Sequence, residues 1–363
     1  MSNILATALN ILEFILAFGL LVFIHEFGHF ITARLSGITV EEFGFGYPPR
    51  IFKLFRWKGT DFSLNWIPFG GFCRMKGENA ADMSEGSFAA ANPWRRLITL
   101  LGGALMNLLL GFILVIILFM KAGSYDTSKV AVVGVAADSP AAIADIRIDD
   151  IITEVNGENV TSMEGLSTLV GQNLDKPTQI TLLRNDETLV VELTPRANPP
   201  KGQGAMGVTI SNPTVPVTFW QAVPAAFLST LDQGAQLITL PVKLITGKIE
   251  PSETRMVSVV GLYDLYAQVK TEDTATAAEN PAAKNLYILS YLATLSIALG
   301  YTNLLPIPAI DGGRILFLIP ELLFKKKVKP ELESRVHLIG FSLLILLMVV
   351  LVINDIINPI SLP

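Results

Sequence analysis

Among 363 residues there is one cysteine, Cys73, which excludes a disulfide framework and any thiolate-rich metal centre. Its simplest reading is a small buried apolar side chain. Histidine is almost as scarce, so any imidazole site must draw on His25, His29 and His337 alone. Charge is thin as well: 16% of residues are charged, 27 basic against 32 acidic, with a pI near 5.4. No basic groove can be assembled from this, and a nucleic-acid partner is excluded. The N-terminus lacks both a basic n-region and a small-residue cleavage site, so its apolar run is expected to be a retained span and not a cleaved leader. What the chain does have is apolar surface, 51% hydrophobic residues and a mean hydropathy of +0.50, the composition of a membrane protein.

Four runs are long enough to cross about 30 Å of hydrocarbon. They cover roughly 4–33, 97–120, 286–305 and 336–353. A fifth stretch, about 219–244, is interrupted by Pro224, Asp232, Gln236 and Pro241 and reads as one or two amphipathic helices at the membrane surface. Lysine and arginine cluster in the loop after the first span (Arg34 to Arg96) and the loop before the last (Arg314 to Arg335). Those loops are expected on the cytoplasmic side, with both termini and the segment 122–285 outside.

His25-Glu26-Phe27-Gly28-His29 closes the first apolar run. Positions four apart on a helix differ by about 40° and rise roughly 6 Å, so both imidazoles can converge on one metal while Glu26 reaches a water beside it. Ionisable groups inside a span are costly, which makes the cluster a functional site by default. The motif pairs two metal ligands with one base, and its setting points to peptide hydrolysis within the bilayer. Arg34 lies about 7.5 Å further along the helix, so the metal is expected nearer the cytoplasmic face. Glu13, roughly 18 Å the other way, is expected near the outer interface and not as a ligand.

Catalytic zinc usually keeps three protein ligands. Asp311 is the better candidate for the third: it follows Pro306 and Pro308, which break the helix, and precedes Gly312 and Gly313, which allow close backbone approach. His337 reads instead as an interfacial residue at the start of the last span.

These residues resemble the site-2 protease family of intramembrane zinc metalloproteases. Its two signatures, H-E-x-x-H and N-x-x-P-x-P-x-L-D-G, match His25 to His29 and Asn303 to Gly312, with Ile310 in place of leucine. The resemblance implies Zn2+ held by His25, His29 and Asp311, with Glu26 as general base. It also implies a membrane-associated β-loop at about 61–76, where Phe69, Gly70, Gly71 and Phe72 could bind an extended substrate by strand addition. Asn303 is a candidate for orienting substrate backbone, with a helix-ending hydrogen bond as its alternative. Asn107 is assigned to helix packing.

Between the second and third spans the pattern becomes short alternating strands: Val130 to Val135, Ile151 to Val155, Gln179 to Leu183 and Thr188 to Leu193. Ser139 to Asn156-Gly157 resembles a bacterial PDZ domain, with Asp145 and Ile148 where such domains usually have glycine. The expected fold class is therefore a mainly α membrane protein with four transmembrane helices, a membrane-associated β-loop and one inserted PDZ-like α+β domain. The expected division is 1–121 for the first two spans, 122–200 for the PDZ-like domain, 201–283 for a linker (196–217) and surface helices ending in a polar connector (271–283), and 284–363 for the last two spans. The resemblance implies substrates with a single transmembrane segment, such as anti-sigma factors or remnant signal peptides, and a multi-pass location in a bacterial cytoplasmic membrane. The alternative from another class is a non-proteolytic metal-binding membrane scaffold.

Overall fold

A 34-residue helix, α1 (Ser2–Leu35), opens the chain in the computed structural model, which describes residues 2–78, 82–247 and 255–360. It stops at Gly37, whose φ of +76° suits glycine, while the Ile38 N–H turns back to the Ala33 carbonyl at 2.9 Å. Two long strands follow, β1 (Val40–Trp57) and β2 (Thr60–Met75). Residues 40–45 of β1 pair with 71–75 and also with 61–64, and the far half of β1 pairs back onto 60–65. The sheet therefore extends well before the β-loop expected at 61–76. Phe23 and Phe30 of α1 pack against Phe43, Phe45 and Phe62, with Phe27 stacked between them on the helix, fixing the sheet to the helix that carries His25.

Helix α2 (Pro93–Ala122) begins with proline at its first position and Asn92 capping Trp94 N–H at 2.9 Å. It crosses α1 where two glycines meet: a Cβ on Gly28 would lie 2.2 Å from the Gly102 carbonyl oxygen. No larger residue permits that approach.

Residues 122–218 form a separate compact unit. Its strands are β3 (Ser124–Tyr125), β4 (Val130–Val135), β5 (Ile151–Val155), β6 (Glu158–Asn159), β7 (Thr178–Arg184), β8 (Glu187–Leu193), β9 (Val208–Ser211) and β10 (Thr214–Val215). The main sheet runs β8-β7-β5-β4-β9, antiparallel throughout, with α3 (Pro140–Ile143) and α4 (Met163–Gly171) capped by Ser139 and Ser162. Inward residues alternate along the strands, so Val130, Val132, Ile152, Ile180 and Leu182 are buried with Leu166 and Val170 of α4. Asn156-Gly157 makes the expected tight turn, both residues at positive φ. One boundary differs from expectation. The unit ends at Thr218, because β9 pairs with β4 and β10 with β3, so residues 196–217 are not a bare linker.

The chain then returns to the first unit through α5 (Phe219–Ile245) and α6 (Val259–Glu279). Helix α5 is continuous despite Pro224 and Pro241, and its Gly234 lies under the Tyr301 ring. The polar connector expected at 271–283 is helical as far as Glu279, where α6 ends. It does structural work: Asp273 accepts the Tyr287 and Ile288 N–H groups at the start of α7 (Leu286–Leu304). Lys270 bonds Asn10 at 2.8 Å and pairs with Glu13, which also accepts from Tyr266, so Glu13 is a packing partner of α6.

After α7 a broken stretch leads to α8 (Asp311–Phe324), then α9 (Pro330–Ile357). Helix α8 was not expected from the sequence, where Gly312, Gly313 and Pro320 disguise it. Among the described residues, three helices are long and apolar enough to cross a membrane: Ile4–Leu35, Pro93–Ala122 and Pro330–Ile357. The expected third span falls outside this group. Helix α7 has only 19 residues and carries Ser290, Tyr291, Thr294, Ser296, Tyr301, Thr302 and Asn303. Its Ala293, Ser296, Ile297 and Gly300 are buried within the protein.

Candidate active site

His25 and His29 stand one turn apart on α1, and Asp311 opens α8, where the helix N-terminus favours a carboxylate. The tertiary fold brings them together. His25 Nε2 lies 3.1 Å from Asp311 Oδ2, His29 Nε2 lies 3.2 Å from the same oxygen, and the two Nε2 atoms are 3.2 Å apart. Oδ2 nevertheless has no hydrogen-bond geometry to any donor. Three donors bonded to one tetrahedral zinc at 2.0–2.1 Å would stand about 3.3 Å apart, close to what is observed. The three could therefore hold a metal ion.

The surroundings prepare the rings. His29 Nδ1 is 2.8 Å from the Thr99 carbonyl, which can only accept, so Nδ1 carries the proton and Nε2 presents its lone pair inward. Gly103, four residues after Thr99, faces the same rings: a Cβ there would fall 2.4 Å from His29 Nε2 and 2.7 Å from His25 Nε2. Only glycine fits.

The loop ahead of Asp311 is equally tight. A Cβ on Gly312 would sit 2.0 Å from the Leu305 carbonyl oxygen. Ala309 has φ of +79°, a left-handed conformation that costs a residue with a Cβ about 1–2 kcal/mol.

A cavity of about 650 Å3 opens on this cluster, lined also by Glu26, Tyr47, Phe72, Cys73, Asn107 and Asn303. Glu26 faces it beside the histidines, and Cys73 of the neighbouring strand lines the same cavity. Asn303 lines the cavity while its Nδ2 donates to the Leu299 carbonyl at 2.9 Å, so the helix-ending bond and the cavity position coexist.

Of the four candidate substrate-binding residues in the sheet, Phe72 lines the cavity. Gly71 is buried, and a Cβ there would lie 3.9 Å from Glu26 Cγ, while one on Gly70 would meet Val22 of α1 at 2.9 Å. The Phe69 side chain lies outside what is described. Asn107 is packed as assigned, 1% exposed with its backbone carbonyl accepting the Ser296 hydroxyl at 2.8 Å, and it also lines the cavity, where its Oδ1 has no partner among the described residues. Its four-residue spacing from Gly103 was the available signal, since both then share one helix face. His337 stands apart from the donor cluster and bonds the Ala309 N–H instead.

The model of peptidase family M50 matches residues 13–347. The chain belongs to peptidase family M50. A protein of Clostridium acetobutylicum named as a zinc metalloprotease is 30% identical over 97% of this chain and 98% of its own length. The regulator of sigma-W protease RasP of Bacillus subtilis is 28% identical over 96% of this chain and 98% of its own. The PDZ domain of an SdrC-like protein from Listeria monocytogenes is similar to 24% of this chain and 90% of its own, at 25% identity and a TM-score of 0.21, which carries no argument about fold. As a member of M50, the chain is an integral membrane protein and a zinc-dependent metalloendopeptidase of regulated intramembrane proteolysis. The scaffold alternative is not favoured.

Proposed function

We propose that His25, His29 and Asp311 hold the zinc and that Glu26 is the general base. The observation that carries this reading is the three donor atoms 3.1–3.2 Å apart, on a cavity that Glu26 also lines. Zinc supplies Lewis acidity and a water acidic enough to be deprotonated near neutral pH. Glu26, which faces the cavity beside the histidines, would take a proton from water and return one to the leaving nitrogen. The substrate must be unwound first, because carbonyls within a helix are already bonded. Residues 71–75 pair with 40–45, and Phe72, Cys73, Arg74 and Met75 line the cavity, so this strand is suited to receive an extended chain. Phe72 and Asn303 would then contact it.

The substrate class is a membrane protein with a single transmembrane segment, such as an anti-sigma factor or a remnant signal peptide, cut in a bacterial cytoplasmic membrane. Four spans, α1, α2, α7 and α9, put both termini and residues 122–218 outside, with the zinc nearer the cytoplasmic face; the Lys and Arg bias of the loops supports this. The short α7 packs Ala293, Ser296, Ile297 and Gly300 against neighbouring helices, which shields one of its hydroxyls from lipid. Residues 122–218 act as a PDZ-type size filter. Asp145 takes the left-handed conformation that glycine would supply, and Arg147 and Arg184 pair with its carboxylate, which would compete with a peptide terminus for them.

E26Q in the purified full-length protein tests the central assignment. Cleavage of a single-span substrate should fall by about 10²–10⁴-fold while bound zinc stays at the wild-type level. Wild-type cleavage by E26Q would remove the assignment.

A further inference from the structure

We infer that His337 is a positioning residue of the zinc site: it pins the strained turn that delivers Asp311. The inference rests on the reading of Asp311 as a ligand. His337 lies on α9, in the first turns of a helix otherwise given to apolar surface, and it takes no part in the donor cluster. Its Nδ1 accepts the Ala309 N–H at 2.9 Å, two residues before Asp311. Its ring packs on Phe317 of α8, with centroids 5.5 Å apart. One side chain thus holds the chain on both sides of Asp311.

Ala309 needs such a hold. Its φ of +79° is one that a residue with a Cβ adopts only when its surroundings impose it, and the glycines that could relax the turn come later, at 312 and 313. One helical turn beyond His337, Gly340 completes the brace: a Cβ there would meet Pro308 Cβ at 2.4 Å and its carbonyl oxygen at 3.1 Å. Helix α9 therefore presses on 308–309 through a gap at Gly340 and an acceptor at His337. An apolar side chain at 337 would fill the space but leave the Ala309 N–H without its acceptor, and the turn would lose its reason to stay left-handed.

The test uses full-length protein in detergent, with zinc affinity measured by chelator competition and deuterium uptake measured for a peptide covering 305–311. H337F should weaken zinc binding by about 10- to 100-fold, the usual consequence of losing a residue that orients a ligand, and speed exchange at Ala309. H337N should retain both wild-type properties, because its amide oxygen can stand where Nδ1 accepted. A309G should restore zinc affinity to H337F by making the left-handed turn undemanding. Wild-type zinc affinity and exchange in H337F would overturn the inference. So would an H337N as impaired as H337F, which would mean that an acceptor at 337 is not what holds the turn. Should H337F fail to fold, H337N and an H337A/A309G pair carry the same comparison. D311A separates the two levels: unchanged zinc affinity there removes the ligand reading, whereas slow exchange at Ala309 in H337F removes the pin.

Discussion

Two aspartates, one in each unit, sit in folded protein with opposite consequences. Asp150, in residues 122–218, is fully buried; Arg184 reaches it with Nε at 2.6 Å and a terminal nitrogen at 2.7 Å, and the Arg147 N–H adds 2.8 Å. Its charge is neutralised and both oxygens are occupied. Asp311 faces two imidazoles at 3.1 and 3.2 Å, yet Oδ2 is hydrogen-bonded to neither. A carboxylate whose partners are complete serves the fold, and one left short of partners beside other donors is ready for an ion.

The largest contrast is D311A against D150A. D311A should weaken zinc binding by more than about 100-fold and abolish cleavage, with exchange protection in 122–218 unchanged. If zinc affinity held, the comparison would collapse. Next in size, G103A should lower cleavage and zinc affinity by about 10- to 100-fold by driving a methyl into both rings; an alanine tolerated at wild-type affinity would mean that the helices part more easily than their contact at Gly28 and Gly102 suggests. D150A should leave zinc untouched and cost residues 122–218 about 3 kcal/mol, read as lost amide protection in β5 and β7 of the full chain. Protection at the wild-type level would deny Asp150 its structural role.

The smallest effect is acid sensitivity. Burial pushes the Asp150 carboxyl up, but the Arg184 hydrogen bonds, the Arg147 N–H and both guanidinium charges outweigh it and hold the group below the ordinary carboxylate range. A folded-state value below the unfolded one stabilises the unit above about pH 4, and that contribution is lost as pH falls through the folded value. D150N should flatten this slope between pH 4 and lower values. A slope unchanged in D150N would assign acid sensitivity to other carboxylates.

Much of the site was legible because its chemistry is carried by rare residue types at helical spacing. His25, Glu26 and His29 declare themselves within five positions, and Asp311 within a stretch whose prolines and glycines announce broken backbone. Strands β4, β5, β7 and β8 were legible for a similar reason, since alternation of apolar residues survives in the sequence when one face is buried. Other features were not. Helix α8 hides behind Gly312, Gly313 and Pro320, and β9 behind a Pro- and Gly-rich composition that reads as linker. The bounds of α7 were legible, 286–305 expected against Leu286–Leu304 observed, but the burial of Ala293, Ser296, Ile297 and Gly300 on one face was not.

By itself, then, the order of residues determined which groups could do the chemistry, that the chain belongs in a membrane, and where a small β-rich unit interrupts the helices. These are local properties, set by spacing along one helix or by runs of like side chains. Only the tertiary structure decided that Gly103 is the floor under two imidazoles, that Asn107 belongs to the cavity, and that His337 holds a turn and not a metal. Those roles arise from contacts between residues tens to hundreds of positions apart, whose distances depend on how helices cross and loops close, and no local pattern records them.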